Sequence, residues 1–90
     1  MVHADIRIYG RVQGVGFRFF TTRKAQLYKI KGWVKNMADG SVKCEAEGEK
    51  SDLQEFIKEL KKGPRSARVR DVEIEKSDKL ENYTSFEVRY

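Results

Sequence analysis

Lys31-Gly-Trp-Val-Lys-Asn-Met-Ala38, Asp39-Gly40 and Ser41-Val-Lys-Cys-Glu-Ala-Glu-Gly48 read as strand, turn and strand, and this hairpin decides the fold. In its second limb Val42, Cys44 and Ala46 alternate with Ser41, Lys43, Glu45 and Glu47, the period of a half-buried strand. Asp39-Gly40 suits the positive backbone angles of a short hairpin turn. The same alternation sets Glu45 and Glu47, with Glu49 beyond them, on a solvated face.

A helix is expected on each side of the hairpin. Upstream, residues 18–29 bring Phe17, Phe20, Ala25 and Tyr28 toward one face, although Thr21 and Thr22 are weak helix formers. Downstream, Ser51 and Gln54 form a capping box. Leu53, Phe56, Ile57 and Leu60 then follow helical spacing, and Gly63-Pro64 stops the helix. Lys61 and Lys62 suit the negative end of its dipole.

Strands flank the helices in turn. Residues 4–12 alternate, with Ile6, Ile8 and Val12 on one face and Asp5, Arg7, Tyr9 and Arg11 on the other. A fourth strand covers 68–76 around Val69, Val72 and Ile74, a polar loop covers 77–84, and Phe86, Val88 and Tyr90 mark a short fifth strand. The order β-α-β-β-α-β plus one strand is that of an α+β, ferredoxin-like split βαβ sandwich, an antiparallel sheet with two helices on one face. A single domain spans 1–90. A right-handed crossover makes the first two strands parallel, with the third between them, so their ends lie roughly 10 Å apart.

Apolar residues make up 39% of the chain and charged residues 37%, which implies a modest core under a heavily charged surface. The net charge of +5 fits nucleic acid, a small anionic substrate or simple solubility, but the interleaving of opposite charges weakens the first. Cys44 is the only cysteine, so no internal disulfide is possible, and it reads as a small buried hydrophobe. His3 is the only histidine, which leaves zinc sites and histidine-dependent nucleophiles almost no material. No apolar stretch reaches membrane-spanning length, and Met1-Val2-His3-Ala4-Asp5 lacks a secretory pattern. A cytoplasmic protein is expected, and the small size favours a monomer.

The stretch Gly10-Arg-Val-Gln-Gly-Val-Gly-Phe-Arg18 leaves the first strand at the edge where the second strand ends in Asn36. Glycines let backbone N–H groups turn toward an anion, and a guanidinium can grip two of its oxygens. The spacing is neither the dinucleotide Gly-x-Gly-x-x-Gly nor a nucleotide P-loop ending in Gly-Lys-Ser/Thr. A small-anion cradle at a helix start and a ligand-free turn both remain open. Arg18 reads either as the anion's cation or as a surface cation over Phe17 or Phe20. Asn36 reads either as a holder of water or as an amide bonding the Asp39-Gly40 turn. Around a phosphoryl group such a set could hydrolyse only a bond with a good leaving group, because neither a base nor a nucleophile is placed beside it.

The stretch Gly10–Arg18, followed by Gly32-Trp-Val-Lys-Asn-Met-Ala-Asp-Gly-Ser-Val42, closely resembles the two motifs of the acylphosphatases. The likeness continues through Ala46-Glu47-Gly48 and Gly63-Pro64 and covers nearly the whole chain. It implies hydrolysis of the carboxyl–phosphate bond of acyl phosphates, with neither metal nor organic cofactor. It also places catalytic roles on Arg18, which binds phosphate, and Asn36, which positions water. The phosphate-binding loop falls on Gln13, Gly14, Val15, Gly16, Phe17 and Arg18, with inorganic phosphate as product and competitive inhibitor. Two positions depart from the pattern. Lys29 stands where the family commonly has glycine, at a cost of roughly 1 kcal/mol if that position is left-handed. Arg65 replaces a second proline after Gly63-Pro64. One rival is a non-catalytic domain of the same family. A more distant one is an RNA-binding module, whose stacking aromatics the third strand lacks.

Overall fold

In the computed structural model, which describes Met1–Tyr90, the chain runs β1 (Val2–Arg11), α1 (Phe17–Leu27), β2 (Lys31–Asn36), β3 (Val42–Gly48), α2 (Lys50–Lys62), β4 (Arg68–Ser77) and β5 (Phe86–Arg89). The strands lie in the order β4-β1-β3-β2-β5, so β3 separates β1 from β2 as the crossover argument requires. β1 pairs antiparallel with β3 and β4, and β2 antiparallel with β3. β5 pairs parallel with β2, from Gly32 opposite Phe86 to Lys35 opposite Arg89, so the sheet is mixed rather than wholly antiparallel. The cause is the route of the chain. It leaves β4 opposite His3, crosses the sheet and enters β5 beside Gly32, at the same end.

The alternating positions meet in one core. Ile6 and Ile8 of β1, Val34 of β2, and Val42 and Cys44 of β3 are buried against Phe17 and Ala25 of α1 and Leu53, Phe56 and Leu60 of α2. Burial pushes the Cys44 thiol well above its ordinary range, which makes it an inert hydrophobe. No helix is long and apolar enough to cross a membrane.

α1 ends two residues earlier than its pattern suggests. The Ile30 N–H reaches the Ala25 carbonyl at 2.8 Å and the Lys29 N–H the Gln26 carbonyl at 3.4 Å, a Schellman closure with Lys29 left-handed at φ 58°. Thr21 and Thr22 are accommodated because their hydroxyls donate to the Phe17 and Arg18 carbonyls at 2.8 and 2.9 Å. The capping box at Ser51 does not form. Glu49 is the extended N-cap residue and its carbonyl accepts the Leu53 N–H at 2.8 Å, so Ser51 already lies inside the first turn.

Glu45 and Glu47 are not solvated as the alternation suggests. The segment between β4 and β5 crosses the sheet face opposite the helices, and its N–H groups need acceptors there. Glu47, only 2% exposed, accepts the N–H groups of Glu81, Asn82 and Tyr83 and lies 2.7 Å from His3 Nδ1. Glu45 accepts the Tyr83 hydroxyl at 2.9 Å and lies 3.3 Å from His3 Nε2. Burial opposes ionisation of Glu47, but the Glu81 N–H, His3 and the Tyr83 N–H outweigh it and hold the carboxyl below its usual range. Glu49 is exposed, as expected.

Candidate active site

Between β1 and α1 the chain turns through Gly14 at φ 73° and Gly16 at φ 76°. A Cβ at either position would meet no atom within 4 Å, so backbone conformation rather than crowding demands glycine there. Gly16 is the N-cap of α1 and offers no side chain to its first turn. The first satisfied donor is the Phe20 N–H, bonded to the Gly16 carbonyl at 3.0 Å. The N–H groups from Gly14 to Phe19 have no acceptor in the protein. They cluster at the positive end of the helix dipole, the physical setting for a small anion.

Gln13 braces this loop. Its Nε2 donates to the Met37 carbonyl at 2.7 Å and the Ser41 carbonyl at 2.9 Å, tying the loop to the β2–β3 hairpin. The hairpin is itself clamped from β1, where Arg7 donates to Ser41 Oγ at 2.8 Å and to Asp39 Oδ2 at 3.0 Å. Asp39 Oδ1 accepts the Ser41 N–H at 2.9 Å and hydroxyl at 2.6 Å. The Ser41 hydroxyl, then the Ser41 N–H, hold the Asp39 carboxyl below its ordinary range. Ser41, which the alternation sets outward, is therefore buried at 2% exposure. Arg7, Asp39 and Ser41 escape notice in the sequence because their roles arise only once β1 lies beside β3. The nearest signal is the pairing of Asp39 with Ser41 across the turn glycine.

Asn36 is the last residue of β2, and its side chain makes no hydrogen bond to the protein. Asp39 closes the turn, so the reading of Asn36 as the turn's amide is not realised. Arg18 lies over the Tyr90 ring, 4.8 Å from its centroid, rather than over Phe17 or Phe20. It forms no ion pair with a carboxylate: the ion pairs of the protein involve His3, Arg7, Lys24, Lys43 and Lys58. Arg18, Asn36, Gly14, Gly16 and Phe17 line one cavity of about 350 Å³, completed by Thr22, Val88 and Tyr90 among others. Gln13 stands behind the cavity as a brace, and Val15 faces an adjoining groove.

The acylphosphatase family model matches residues 4–88. The acylphosphatase of Archaeoglobus fulgidus is 50% identical over 90 residues, covering all of both chains. The chain belongs to the acylphosphatase family. Its structure superposes on the crystal structure of the Bacillus subtilis acylphosphatase with a TM-score of 0.98, at 41% identity and full coverage of both chains. An acylphosphatase from Coxiella burnetii matches at a TM-score of 0.91 and 36% identity, over 97% of this chain and 90% of that one. Lys29, one of the two positions set apart in the sequence analysis, is left-handed in the structure, at φ 58°.

The chemistry open to the cavity follows from its lining. It holds a guanidinium, a neutral amide, a threonine, a tyrosine and backbone donors, but neither carboxylate nor imidazole. Such walls can neutralise an anion and orient water. They include neither a carboxyl nor an imidazole side chain as general acid to protonate a leaving group.

Proposed function

We propose that the chain hydrolyses acyl phosphates, with the loop Gln13 to Arg18 as phosphate cradle and Asn36 as the holder of the attacking water. Acylphosphatase activity follows from the family, whose relatives match over the full length. The residue roles rest on one observation: Arg18, unpaired with any carboxylate, and Asn36, from different elements, line the same cavity as Gly14 and Gly16. The backbone donors and Arg18 neutralise the phosphoryl oxygens as charge shifts in the transition state. Asn36 sets a water in line with the bond to be broken through its carbonyl or its amide.

Water adds to phosphorus while the bond from phosphorus to the bridging carboxyl oxygen breaks. The carboxylate leaves with the electron pair, stable without protonation because carboxyl groups are acidic near pH 4. With no carboxylate or imidazole side chain lining the cavity to accept it, the water's proton passes to a phosphoryl oxygen. Inorganic phosphate, the product, fits the same cradle and competes with substrate. We further infer a single catalytic domain over 1–90 that acts as a cytoplasmic monomer, consistent with its one buried, unpaired cysteine.

Hydrolysis of benzoyl phosphate in the presence of EDTA tests the reading. Full turnover with the chelator is expected. Strict dependence on added metal would overturn the mechanism, and no turnover of any acyl phosphate would overturn the activity in favour of a non-catalytic member of the family.

A further inference from the structure

A groove of about 770 Å³ runs along α1 beside the Arg18–Asn36 cavity. The two share Gly16 and Phe19, so the groove opens directly off the cradle. Val15, Phe19, Phe20 and Leu27 give it apolar walls, Arg23 and Lys24 are its charges, and no carboxylate lines it. Phe19 and Leu27 are 67% and 63% exposed, unusual for such side chains on a helix that otherwise packs inward.

The two cations are not equivalent. Lys24 lies 3.5 Å from Glu59 and over the Phe20 ring, so its charge is partly matched. Arg23 has no carboxylate within ion-pair distance and is held over the Phe19 ring, 5.7 Å from its centroid. It lies seven residues beyond Gly16, about 10 Å along the helix axis, and helical side chains lean back toward the N-terminus. An unmatched guanidinium thus stands one short organic chain away from the phosphate cradle.

We propose that this groove receives the acyl part of the substrate and that Arg23, aided by Lys24, favours acyl groups carrying a second anion. The inference rests on the cradle assignment above and adds the substrate class it selects. Apolar walls hold the carbon skeleton, and Arg23 holds a carboxylate or phosphate at its far end. After the phosphorus–oxygen bond breaks, the departing dianion lies in a groove open to solvent and escapes along it.

Benzoyl phosphate and 4-carboxybenzoyl phosphate differ only in the second anion. Their ratio of kcat/KM, measured in the unaltered enzyme and in Arg23→Gln, cancels intrinsic reactivity. At low salt Arg23→Gln should lower the preference for the carboxylated substrate about 3-fold, the additional Lys24→Gln about 10-fold, and Arg23→Lys should restore part of it. The preference should also shrink as salt rises, because exposed charges are screened within about 10 Å at 0.1 M. An identical, salt-insensitive ratio in both proteins would overturn the proposal while leaving the cradle intact. Absence of benzoyl phosphate turnover would instead strike the cradle assignment. In that event calorimetric binding of benzylphosphonate against 4-carboxybenzylphosphonate tests Arg23 without catalysis. A dimer in light scattering that Arg23→Gln dissolves would assign the groove to a second copy of the chain and also overturn it.

Discussion

Lys29 is held in the left-handed region at φ 58° while its side chain is exposed, so it bears a backbone cost with no packing to offset it. Lys29→Gly should raise the unfolding free energy by about 1 kcal/mol, read as a higher urea midpoint with an unchanged slope. A lower midpoint would mean that the lysine side chain contributes something its exposure conceals. Residues that act through backbone geometry were legible where they are glycine: the sequence marks Gly14 and Gly16 because few residue types tolerate such angles, whereas Lys29 stands out only against the family resemblance. Residues that act through distant partners were not. Nothing near Glu47 in the chain announces His3 or the N–H groups of residues 81–83, and strand alternation alone sends it to water.

At the scale of elements, the clearest helix came from Leu53, Phe56, Ile57 and Leu60, whose spacing only a helix buries together. Its start was misplaced because a capping box at Ser51 is one local option, and the tight exit from buried Gly48 into Glu49 takes another. The partner of β5 was illegible for a different reason. Alternation of Phe86 and Val88 identifies a strand but carries no information on which neighbour it joins or in which direction. That choice depends on the crossing segment clasped by Glu47. Removing the clasp with Glu47→Gln should cost about 3 kcal/mol, since it breaks a buried ionic and hydrogen-bonded cluster. The folded carboxyl is held below its ordinary value of 4.5, so its contribution is complete above that pH. It is lost as pH falls from there through the folded value. The thermal unfolding midpoint of the wild type should therefore fall on acidification below about pH 4.5, and Glu47→Gln should flatten that limb. Parallel acid limbs in the two proteins would show that other carboxylates dominate.

Across the whole molecule, function rests on topology that brings two half-sites to one edge. β1 and β2 are parallel with β3 between them, so the glycine loop and Asn36 leave the sheet on the same side, and Gln13 spans the gap to the hairpin. That much was legible from element order together with the two sequence motifs. The braces were not, since Arg7, Asp39 and Ser41 meet only after the strands pair, nor was the stacking of Arg18 on Tyr90 at the far end of the chain. The division of labour between the two halves is the central claim, and it separates binding from turnover. Phosphate affinity by calorimetry, set against benzoyl phosphate turnover, should part the two variants. Asn36→Ala should bind phosphate within about 3-fold of the unaltered protein yet lose turnover by about 100-fold or more, whereas Arg18→Ala loses both. Phosphate binding that survives Arg18→Ala, or vanishes in Asn36→Ala, would contradict it.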